Sequence, residues 1–90
     1  EQAVAWGLIW KSVPDDQLMD DVRDLATNLA AGPTLGFAMT KQAIHASATN
    51  SLSSHLELEA DFMKICGESA DYAEGVSAFL GKRQAEFKGK

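Results

Sequence analysis

Phe79 and Lys82 stand three positions apart near the end of an otherwise acidic chain. If the helix carrying Phe79 runs on through Lys82, the two side chains share a face. An aromatic ring beside an ammonium suits a ligand with a flat base and phosphates. The ring covers the base and the ammonium meets the negative charge. The ordinary use of the same pair is a core Phe79 and a Lys82 that offsets the negative end of a helix dipole. Charge placement makes the ligand worth pursuing. Residues 1–81 hold 12 acidic and 4 basic side chains, a balance of −8, whereas residues 82–90 hold 4 basic and 1 acidic, a balance of +3. A short basic end can grip a compact anion. The acidic body repels nucleic acid, so no nucleic-acid partner is expected.

The other reactive side chains point to packing and solvation. His45 and His55 fall on different helices, and neither has a second His or Cys at i+3 or i+4, so no metal site is expected. Asp15, Asp16, Asp20, Asp21 and Asp24 lack the alternating ligands, glycine turn and closing glutamate of a calcium loop. They read as a solvated helix face. Glu57, Glu59 and Asp61 read the same way. Cys66 has only Lys64 nearby to acidify it and reads as a small core residue. No catalytic residue is assigned, because no Ser-His-Asp order, nucleophile elbow or glycine-rich phosphate loop is present.

The elements that position these residues are helical. "EQAVAWG" reads as the end of a helix closed by Gly7. "LIWKSVP" suits a short strand stopped by Pro14, yet no second strand pattern exists to pair with it. In "PDDQLMDDVRDLATNLAAGP", Leu18, Val22, Leu25 and Leu29 make one apolar stripe, with Asp15 as N-cap and Gly32-Pro33 as the stop. Pro33 serves as the first residue of the next helix, "PTLGFAMTKQAIHASATN". Ser51 or Asn50 caps "SLSSHLELEADFMKICG", which Gly67 ends. Ser69 caps "SADYAEGVSAFLGKR", whose stripe is Tyr72, Val76, Phe79 and Leu80. Short joints between these helices predict antiparallel neighbours.

Ninety residues form one small domain or a piece of a larger one. At this length a single core is marginal without a disulfide, a metal or a partner chain. The lone Cys66 excludes an internal disulfide and fits a reducing, cytoplasmic setting. No apolar run approaches the ~20 residues that span a bilayer, so no membrane partner is expected. The mid-helix opening at Glu1 and the orphan strand both predict that the chain is part of a larger architecture.

Three stretches resemble the C-terminal part of the crotonase (enoyl-CoA hydratase/isomerase) family. "EQAVAWGLIWKSVPDDQL" is similar to the family's helix, short strand and helix start. "LAAGPTLGFAMTKQAI" is similar to its "a-x-x-P-…-x-x-K-x-x-(I/L)" segment. "ESADYAEGVSAFLGKRQAEFKGK" is similar to its closing "(S/T)-x-D-x-x-E-G-…-A-F-x-x-K-R-x-x-x-F" stretch. Within the family, "AWGLIW", "TKQAI", "ATNSL" and "SADYAEGVSAFL" resemble the branch that isomerises ring-epoxidised phenylacetyl-CoA. The resemblance implies an all-α, C-terminal helical domain of the crotonase fold, with about four main helices preceded by a short helix and an orphan strand. Residues 1–13 would end the crotonase core, and residues 14–90 would be the helical domain that covers the CoA site and mediates oligomerisation.

The same resemblance implies that Phe79 and Lys82 contact CoA and that Met63 lines the acyl pocket. The oxyanion hole and acidic catalytic groups would lie upstream of Glu1. No cofactor is implied, since the CoA thioester is itself the substrate. The full-length protein would form trimers or pairs of trimers, and the 90-residue piece could dimerise and would be inactive. Two other readings compete: a stand-alone acyl-CoA carrier, and a self-associating interaction module.

Overall fold

A computed structural model describes residues 1–90. It contains five helices: α1 (Gln2–Ala5), α2 (Leu18–Ala30), α3 (Thr34–Ser47), α4 (Leu52–Gly67) and α5 (Ala70–Leu80). The all-helical expectation holds, but residues 8–13 form no strand. Their apolar, β-branched composition favours an extended chain, and a strand without a partner leaves its amides and carbonyls unpaired. They run instead as bends and coil, tied to α2 by Lys11, whose Nζ lies 2.6 Å from Asp21 Oδ2.

The helix ends follow side-chain chemistry. Ser51 Oγ accepts the amide of Ser54 at 3.2 Å. Ser69 Oγ accepts the amide of Tyr72 at 3.0 Å and donates to the carbonyl of Cys66 at 2.6 Å, so one hydroxyl joins the end of α4 to the start of α5. Two expected starts shift. Asp15 does not cap α2, because Pro14 opens a turn in which its carbonyl takes the Gln17 amide at 3.0 Å, and Gln17 becomes the N-cap. Pro33 is the N-cap of α3 rather than its first residue, and its carbonyl takes the first helical bond, from Phe37, at 3.1 Å.

α3 packs on α4, and α4 on α5. The predicted stripe of α2 (Leu18, Val22, Leu25 and Leu29) is present on the helix yet exposed along its length. The chain spreads as a slab measuring 42 × 39 × 18 Å, with a radius of gyration of 16.7 Å. A compact domain of this length has a radius of about 12 Å. The accessible surface is 7302 Å². A compact monomer of 9.7 kDa exposes about 5,100 Å². The excess of about 2,200 Å² is larger than one partner's share of a standard protein interface, about 800 Å². Both tryptophans, Trp6 and Trp10, lie in this open surface. The helices form a layer whose apolar faces lack covering side chains within the chain.

Candidate functional site at the end of α5

Helix α5 stops at Leu80, two residues earlier than the expected continuation through Lys82. Gly81 is the cap residue, and Lys82 turns into the left-handed region with φ +49°, the only non-glycine residue with positive φ. The Lys82 amide donates to Phe79 O at 3.2 Å and the Arg83 amide to Ala78 O at 3.0 Å. This pair of bonds is the Schellman ending of a helix. Phe79 and Lys82 therefore do not share a helical face. Their backbones are joined across the turn instead, by the bond between the Lys82 amide and the Phe79 carbonyl.

Phe79 is 83% exposed, the most open large apolar side chain in the molecule. It borders an apolar cleft of about 460 Å³ whose walls include Leu35, Tyr72, Val76, Leu80 and Phe87. Lys82 is also exposed and makes no ion pair. Met63 lies apart, on α4. It borders a second cleft of about 680 Å³ with Phe37, Ile44, His55 and Phe62. Of the three predicted site residues, Phe79 and Met63 therefore border separate clefts, and Lys82 lines neither. Cys66 borders both of them. His55 is half-buried in the second cleft, with Nε2 3.4 Å from Glu59 Oε1 and no partner for Nδ1, while His45 is an exposed residue of α3.

The tail beyond Lys82 folds back along α5, which the sequence reading did not foresee. Asp71, only 4% exposed, accepts the Lys88 amide on Oδ1 at 2.6 Å and the Gly89 amide on Oδ2 at 2.8 Å. Its own amide donates to Lys90 O at 2.9 Å. One turn on, Glu74 takes a two-pronged contact from Arg83, Nη1 to Oε1 at 2.5 Å and Nη2 to Oε2 at 2.8 Å. Glu74 Oε1 also accepts the Glu86 amide at 2.9 Å. The Arg83 hydrogen bond, helped by the Glu86 amide and the charges of Arg83 and Lys88, pulls the Glu74 carboxyl down to about 2 against the opposing effect of desolvation. The Glu74 contact in turn raises Arg83. Between the carboxylates, Phe87 lies over Gly75, where a Cβ would sit 3.6 Å from the ring. Asp71, Glu74, Gly75 and Ala78 follow i, i+3, i+4 and i+7, one stripe of α5 that seats the tail. No helical spacing in the sequence announces this seat, because the tail meets it nine or more positions away.

A family model described as enoyl-CoA hydratase/isomerase matches residues 1–90, the entire chain. The chain belongs to the enoyl-CoA hydratase/isomerase family. It is 51% identical over 90 residues to the 1,2-epoxyphenylacetyl-CoA isomerase of Escherichia coli (strain K12), covering 100% of the chain and 34% of that relative. The 2,3-dehydroadipyl-CoA hydratase of the same organism is 32% identical over 90 residues, with 100% of the chain and 35% of the relative covered. A solved enoyl-CoA hydratase from Geobacillus kaustophilus HTA426 superposes with a TM-score of 0.90 at 30% identity, covering 99% of the chain and 34% of that structure. This enoyl-CoA hydratase/isomerase chain spans about a third of the length of the curated relatives it matches. Its helices match the helical C-terminal domain of crotonase-fold structures. No helix is long and apolar enough to cross a membrane.

Proposed function

We propose that the full-length protein isomerises ring-epoxidised phenylacetyl-CoA in the cytoplasm, and that this chain supplies its CoA-contacting and subunit-contacting helical layer. The observation that carries the reading is the end of α5, where an 83% exposed Phe79 adjoins a left-handed Lys82 with an unpaired ammonium. Phe79 offers a face to the adenine and Lys82 a cation to the phosphates. Met63 borders the acyl end. The thioester-activating oxyanion hole and the acidic proton-transfer groups belong to the two-thirds of the relatives' length that this chain does not cover. The identity to a 1,2-epoxyphenylacetyl-CoA isomerase supports the choice of substrate. Turnover of an epoxidised phenylacetyl-CoA by the full-length protein, and none by the 90-residue chain, is the expected result. Turnover by the chain alone would refute the assignment of the chemistry to the uncovered part.

The excess surface favours a further role in assembly. The exposed stripe of α2 and the open tryptophans are the surfaces through which the full-length protein would meet its own core and its neighbours in a trimer or pair of trimers. As an isolated piece the chain would then self-associate through the same faces. Sedimentation that shows a compact monomer at every practical concentration counts against this role.

A further inference from the structure

Lys82 adopts a backbone conformation that L side chains rarely take, one residue beyond a glycine that could have taken it. The chain is fixed on both sides of it. On the helix side the Gly81 amide donates to Ser77 O at 2.9 Å. On the tail side Arg83 is locked to Glu74 by both guanidinium nitrogens, and its Nη2 also reaches Ser77 Oγ at 3.3 Å. Farther out, Asp71 holds the tail by two amides of adjacent residues, and a Cβ at Gly89 would meet Thr34 Oγ1 at 2.5 Å. Thus Glu74 engages the cation next to Lys82 and leaves Lys82 as the free one beside Phe79.

We infer that Asp71 and Glu74 are positioning residues for the nucleotide end of the thioester: by pinning the tail along α5 they hold Lys82 in its left-handed turn beside Phe79. The inference rests on the reading of Phe79 and Lys82 as CoA contacts. Neither carboxylate touches the ligand. Each acts through Lys82, so their removal should matter only for ligands that carry the nucleotide.

The test measures binding of butyryl-CoA and of butyryl-pantetheine, which lacks the nucleotide and its phosphates, to the full-length protein by calorimetry. Lys82→Ala should weaken butyryl-CoA about tenfold, as expected for one charge-assisted contact, and leave butyryl-pantetheine within about twofold. Glu74→Gln and Arg83→Met should reproduce that split, with faster hydrogen exchange at the Glu86 amide. The double variant Glu74→Gln/Lys82→Ala should bind butyryl-CoA no more weakly than Lys82→Ala alone. If Lys82→Ala discriminates between the thioesters but Glu74→Gln and Arg83→Met weaken both alike, or neither, the positioning role fails and the contact site stands. If Lys82→Ala leaves butyryl-CoA binding unchanged, the contact site fails and the positioning role with it.

Discussion

Helices α1 and α5 end in the same way and with different residues. At α1 the Gly7 amide donates to Val4 O and the Leu8 amide to Ala3 O, both at 2.9 Å, with Gly7 at φ +72°. At α5 the equivalent pair of bonds places Lys82, not glycine, at the left-handed position. Glycine enters that conformation freely, and a residue with a Cβ does so at a cost of about 1 kcal/mol or more. The first ending therefore stands on local chemistry alone. The second needs the charged anchors of α5 to hold it, and it presents an ammonium where the first presents nothing. A side chain kept in an unfavourable turn, and braced there from two sides, suggests a use for the side chain.

The contrast can be broken most severely at Asp71. Asp71→Ala removes two charge-assisted acceptors at a buried position and strands the Lys88 and Gly89 amides. A loss of about 2–3 kcal/mol is expected, read by urea unfolding together with the collapse of exchange protection at those amides. Acid should act next, at the Glu74 anchor. The Glu74 carboxyl is held down at about 2. Its contribution is therefore fully present above the ordinary carboxylate range near 4.3 and is lost as pH falls toward about 2. Exchange at the Glu86 amide should rise, relative to α3 amides, across that window and stay flat above pH 5. Unchanged relative protection down to pH 2 would contradict the anchor.

Two smaller changes of opposite sign sharpen the comparison. Gly7→Ala meets nothing within 4 Å, so its cost is backbone strain alone, about 1 kcal/mol, visible as faster exchange at Gly7 and Leu8. Lys82→Gly should stabilise the end of α5 by up to about 1 kcal/mol in thermal unfolding while weakening binding of the CoA thioester. If Lys82→Gly instead destabilises, the lysine is there for packing and not for a ligand.

Much of the fold was legible because caps are local. Ser51 and Ser69 announced their helices by bonding amides three residues on, and Gly7 closed α1 as its type predicts. The start of α2 was misread because the turn at Pro14 competes with the Asp15 cap. The stretch from Leu8 to Val13 carries strand-forming residues, but a ladder depends on chain elsewhere. At the site, the types of Phe79 and Lys82 were readable, and their geometry was not. A helical spacing was expected where the backbone in fact reverses hand. The anchors were invisible for a plainer reason: Asp71 and its tail partners are 17 and 18 positions apart, and Glu74 and Arg83 are 9 apart, beyond any helical period.

The hydroxyl of Ser69 has a wider consequence. Its oxygen takes an amide from the helix that begins there, and its proton goes to the carbonyl of the helix that has just finished. An asparagine amide divides those tasks between two atoms, and an ionised aspartate lacks a proton to give. The junction between α4 and α5 therefore draws both of these side-chain bonds from a single rotor, with only threonine as a near substitute.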